Sequence, residues 1–114
     1  MLNSIENFKE IDWQEKCYKE LSEELALTPE FKSWESLYKE FAERIYKDPY
    51  PLHAAAELGC ERAIQIILKS NKEDINKLNH QMTPLHMAID KGHNQAIKVL
   101  LNGGANPKIK LTIY

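Results

Sequence analysis

The chain has 114 residues, 43% of them hydrophobic, and a formal net charge of −2, which suits one domain with a modest core. That charge argues for neither nucleic acid nor a membrane surface as partner, and no apolar run approaches the roughly 18 residues a membrane span needs. Residues 1–48 carry 7 basic against 12 acidic side chains, a net −5, and residues 49–114 carry 8 against 5, a net +3. Nine of the ten aromatic residues lie in 1–50, so two different packing units share the chain.

Cys17 and Cys60 form no C-x-x-C pair, and no signal peptide is visible, which points to a reducing, cytoplasmic setting. Lysine outnumbers arginine 13 to 2, a bias of A/T-rich genomes that hints at an intracellular bacterium, a virus or a protist.

Ile5, Phe8 and Ile11 recur every third residue and suggest a short first turn or helix over 2–11. Asp12 with Glu15 then reads as a helix start, and Trp13, Cys17, Leu21 and Leu25 make one apolar face through about residue 26. Thr28-Pro29-Glu30 predicts a second start, followed by a stripe of Phe31, Trp34, Leu37, Tyr38, Phe41 and Ile45. Lys32, Glu35, Lys39, Glu40 and Glu43 form its solvated face, with Glu35–Lys39 and Glu40–Arg44 spaced as helix ion pairs. Asp48-Pro49 ends the helix. Residues 1–48 are thus expected to form a helical hairpin that caps the rest of the chain.

From residue 49 the chain repeats itself. Pro51-Leu52-His53 returns 33 residues later as Pro84-Leu85-His86, preceded by Thr83, whose hydroxyl can cap the helix. Ala55, Gly59, Ala63, Ile64, Ile67 and Leu68 match Ala88, Gly92, Ala96, Ile97, Leu100 and Leu101. Helices are predicted over Pro51–Leu58, 61–70, Pro84–Lys91 and 94–101, with turns at Gly59 and at Gly92-His93. Asn102 to Asn106 closes the second copy, and Lys108 to Ile113 alternates like a half-buried strand.

A 33-residue period carrying P-L-H-x-A, a glycine and a second apolar helix resembles the ankyrin repeat over residues 49–108. The resemblance implies an all-α solenoid of two repeats joined by a β-hairpin tip at 77–82, with residues 1–48 as cap and 49–114 as repeats and tail. It implies a structural role for His53 and His86, bridging backbone groups between repeats. The chain departs from the family at Tyr50, where the capping Thr belongs. It departs again at Leu78 and Gln81, where Asp and Gly are usual, so the positive-φ turn of the tip falls on a residue poorly suited to it. The loop from Lys69 to Asp74 is one residue longer than the norm and the tip one shorter.

The hairpin residues Asp12-Trp13-x-x-x-Cys17 and Ser33-Trp34-x-x-Leu37-Tyr38 are similar, more weakly, to the helices that follow the box in F-box and elongin-A-like ubiquitin-ligase adaptors. No box is present in the sequence, and that leaves ligase adaptation a remote alternative.

No P-loop, G-x-G-x-x-G, nucleophile elbow or H-E-x-x-H occurs, so neither catalysis nor a cofactor is expected. His80 is expected at the tip and His93 at a turn; with Cys60 they show no metal-ligand spacing. What remains is a surface that recognises a protein partner. The ankyrin resemblance assigns Asn79, His80 and Met82 at the tip, Asp90 and Lys91 on the second repeat, and Glu57, Leu58 and Pro49 on the first. Leu58 either faces a partner or lies beneath the hairpin. Such a module fits a bacterial or viral effector, or an immunity or inhibitor protein. Val99, Leu100 and Leu101 are as apolar as in an internal repeat, which leaves self-association through that end, or a longer ankyrin protein, as alternatives.

Overall fold

A computed structural model describes residues 10–25, 27–70 and 74–109. The first turn expected over 2–11 lies almost wholly outside the described residues, and so does the alternating stretch beyond 109. The described residues form six helices: α1 Trp13–Glu20, α2 Trp34–Tyr46, α3 Pro51–Leu58, α4 Glu61–Ser70, α5 Pro84–Lys91 and α6 Asn94–Asn102. Among those residues no strand occurs. The tip holds one antiparallel bridge, Asn79 to Met82, in place of the expected ladder.

The four repeat helices keep the predicted bounds to within a residue, because their signals are local. Pro51 and Pro84 open α3 and α5, and Gly59 and Gly92 close them at φ 73° each, the left-handed conformation glycine adopts freely. Helix α3 packs on α5 and α4 on α6, so two rows run through the stack. Leu52, Ala55, Ala63, Ile64, Leu85, Ala88, Ala96 and Leu100 are buried between them.

The N-terminal hairpin enters this stack in reverse order. Its first helix, α1, packs on the outer-row α4, and its second, α2, packs on the inner-row α3. In both repeats the first helix belongs to the inner row. The hairpin supplies Cys17, Leu21 and Ile45 to the common core.

Two hairpin boundaries depart from expectation, each for a physical reason. Asp12 caps α1 by accepting the Glu15 N–H at 3.0 Å, as its position implies. The helix stops at Glu20 rather than near 26, because the next backbone serves α4 instead. The Leu21 carbonyl accepts the Arg62 and Ala63 N–H groups at 2.9 and 3.3 Å, satisfying free donors of the α4 start. The Glu61 carboxylate in turn accepts the Glu23 N–H at 2.9 Å, and an Arg62–Glu23 ion pair closes the junction.

Helix α2 begins after Ser33, whose hydroxyl accepts the Ser36 N–H at 3.1 Å, and not after Thr28. Proline suits the first corner of a β-turn as well as the first turn of a helix. Here Thr28-Pro29 makes the β-turn, with the Phe31 N–H bonded to the Thr28 carbonyl at 2.9 Å. Phe31 therefore lies before the helix, edge-on to Trp34 with ring centroids 5.1 Å apart. The Glu35–Lys39 pair forms at 3.0 Å. Among the described residues Glu40–Arg44 does not, and Lys47 meets Glu43 at 3.8 Å.

Candidate functional site

Helices α3 and α5 each bury one face and leave their last turn open. Glu57, Asp90 and Lys91 are exposed there, and Leu58 is half-buried. Leu58 is neither fully covered nor fully open. It touches the core, and it also lines an open cleft of about 430 Å³ between α3 and the C-terminal half of α2. Glu43, Arg44 and Lys47 form the opposite wall, with Pro49 at the rim. Taken alone, α2 shows these as a solvated face, since their position opposite Leu58 depends on how α2 docks. A second cleft, of about 530 Å³, lies over Phe31, Leu37 and Phe41 farther along α2.

The tip is a separate feature. It sits at the start of α5, about 10 Å along the helix from Asp90 and Lys91 at 1.5 Å per residue. The proposed contact residues therefore fall into two groups, the tip and the helix ends, with Pro49 beside the latter at the cleft rim. Asn79 and Met82 exchange backbone bonds at 2.9 and 3.1 Å around His80 and Gln81, whose φ angles are 52° and 64°. Two positive φ angles at the corners describe a type I′ turn, which strongly prefers Asn-Gly. Neither His nor Gln relieves the strain, worth about 1–3 kcal/mol per residue. Gln81→Gly is therefore expected to raise stability by about 1 kcal/mol, read as a higher urea midpoint at unchanged m-value. An unchanged midpoint would show that the turn stores no strain at Gln81.

Three histidines link the repeats or their caps. His53 is buried and its Nε2 bonds the Met82 carbonyl at 2.9 Å, tying the tip to α3. His93 Nε2 bonds the Glu57 carbonyl at 2.9 Å, across the two turns. His86 stays within its own cap: its N–H bonds Thr83 Oγ1 at 3.1 Å and its Nδ1 meets that oxygen at 2.8 Å. The bridging role expected of both motif histidines thus falls to His53 alone among these two. Repeat one has no such cap, for Tyr50 makes no side-chain bond to the helix. In consequence His53 Nδ1 is buried without a hydrogen-bond partner among the described residues, a deficit on the order of 1–3 kcal/mol. The family departures at Tyr50 and Gln81 mark these two local defects.

Burial pushes the Cys60 thiol up to about 12, with the neighbouring Glu61 charge adding to it. Burial, then the Glu20 charge, also raises Cys17. Both stay protonated at neutral pH and are poor nucleophiles. Among the described residues no three His, Cys, Asp or Glu side chains gather as metal ligands, and no helix is long and apolar enough to cross a membrane.

Helix pairs stacked in register, with a left-handed glycine between partners and a tight turn between repeats, define an α-solenoid. A family model described as ankyrin repeats (3 copies) matches residues 19–110, and the chain belongs to the ankyrin-repeat family. Ankyrin repeats are in general protein–protein interaction modules without catalysis. The matched span begins inside α1, although the helix pair there is stacked in reverse order. Searches of curated proteins and of solved structures returned no significant match.

Proposed function

We propose that this chain is a non-catalytic recognition module that binds one protein partner through its hairpin tip and along its inner row. Residues 1–48 act as a cap that also contributes one wall, and residues 49–114 carry the recognition surface. The observation that carries this reading is the open cleft at the ends of α2 and α3. There Leu58 is half-buried beside exposed Glu57, on helices whose other faces are locked in the core. Rigid backbone under exposed side chains holds a binding geometry at little entropic cost. Asp90 and Lys91 extend the same row. The lysine-rich composition favours a bacterial or viral effector or inhibitor as the setting, in the cytoplasm of a host or of the producing cell.

A Glu57→Lys, Asp90→Lys variant is expected to keep its melting temperature, since both positions are exposed, and to lose at least about tenfold in partner capture. Capture at the wild-type level with both charges reversed would remove the inner row as the binding surface.

One observation favours a second reading, self-association through the last repeat. Ile89 is 53% and Leu101 44% exposed, while their repeat-one counterparts are buried (Ala56, 0%) and half-buried (Leu68). Of Val99, Leu100 and Leu101 at that end, Leu100 is fully buried, Val99 half-buried and Leu101 exposed. Ile89 and Leu101 form that end. Light scattering on the chain before any capture experiment separates the two readings.

A further inference from the structure

The defects at the α3 start and at the tip meet at one place. Tyr50 stands where a capping hydroxyl would satisfy both the α3 start and the buried His53 Nδ1. Thr83 does the same for α5 and His86. The Tyr50 ring is edge-on to His53, with centroids 5.8 Å apart. The Lys77 ammonium rests over the same ring, 5.3 Å from its centroid. His53 holds the Met82 carbonyl, and Met82 closes the turn that strains His80 and Gln81. Tyr50, Lys77 and the tip are therefore one connected cluster, and Leu78 beside it is 51% exposed.

A threonine at 50 and a glycine at 81 would serve the fold better. Residues that break local rules at adjacent positions without a structural gain mark a site selected for something else. In place of the missing cap the chain has an aromatic ring that fixes a long, otherwise mobile lysine. Next to it stands an apolar side chain open to solvent.

Resting on the reading that the tip takes part in partner binding, we infer that Tyr50, Lys77 and Leu78 are its specificity-determining edge. They fit a protein segment that presents a carboxylate beside an apolar side chain. The ring occupies one side of the Lys77 ammonium and leaves its other donors for a carboxylate. Leu78 supplies the apolar contact. The net +3 of residues 49–114 adds a field that draws an acidic segment to this half of the molecule.

The test is selection of short random peptides, displayed on phage, against the full chain at low salt. Peptides rich in Asp or Glu next to Leu, Ile or Phe are expected, and they should weaken as salt rises. Their Kd should rise about tenfold or more on Tyr50→Thr and on Lys77→Gln, while Tyr50→Thr raises the melting temperature. A loss of binding in a more stable variant cannot come from unfolding. Should Tyr50→Thr prove unstable, the exposed Lys77→Gln decides alone.

Unchanged binding on Lys77→Gln overturns the inference. If those peptides respond instead to Glu57→Lys with Asp90→Lys, the inner-row reading stands and only the edge is lost. If they respond to neither set, both fail. A wild-type dimer that Tyr50→Thr returns to monomer overturns it as well, by giving the edge to the acidic hairpin of a second copy.

Discussion

Leu52→Ala is expected to lower stability by about 3 kcal/mol, within the range of roughly 2–5 for buried leucines. Leu52 is 0% exposed and lies on α3, the helix that packs against α2, α4 and α5. Its loss leaves a void at the junction of the hairpin and both repeats. A chain of this size stands on about 5–15 kcal/mol in total, so the melting temperature should fall by roughly 10–15 °C. Leu101→Ala is the matched control: at 44% exposure it should lose under about 1 kcal/mol. Urea unfolding of the two variants checks the contrast. Equal losses would mean that the last repeat is covered in solution.

Gly59→Ala and Gly92→Ala form the second pair, and they are expected to differ. Both glycines sit at φ 73°, so each alanine meets the same backbone strain, about 1 kcal/mol. At Gly92 a Cβ would meet nothing within 4 Å. At Gly59 it would fall 2.6 Å from His93 Nδ1 and 2.7 Å from Cγ. The imidazole must then swing away and give up its 2.9 Å bond to the Glu57 carbonyl. Gly59→Ala is therefore expected to lose about 3 kcal/mol and Gly92→Ala about 1. The double variant His93→Ala, Gly59→Ala tests the cause. With the ring gone, adding the Gly59 change should lose only the backbone part, and an undiminished loss would refute the steric account.

The glycine contrast compares equivalent positions of the two repeats, where the turn is the same and the surroundings differ. Among the described residues a following repeat stands against Gly59 and none stands against Gly92. Ile89 and Leu101 are exposed for the same reason. The Thr83 cap and the bare Tyr50 start show the reverse case, a difference visible in the sequence whose consequence, the orphaned His53 Nδ1, appears only with the helices assembled. At the candidate site the sequence located the tip and the inner helix ends. It missed Glu43, Arg44 and Lys47, because nothing in a charged helix face says which neighbour will stand opposite.

The sequence by itself determined the repeat helices and their turns. Thr83-Pro84, Gly59, Gly92 and the apolar steps every three or four residues act over a few bonds and carry their outcome with them. The period of 33 likewise made the family legible before any coordinates. Tertiary structure alone decided the reversed order of the hairpin, the early end of α1 and the wall that α2 gives to the cleft. Each depends on contacts between segments far apart in sequence, and at the end of α1 the contacts are hydrogen bonds. The Leu21 carbonyl went to the start of α4 and Glu61 to the Glu23 amide, because buried donors must be satisfied wherever the packing places them.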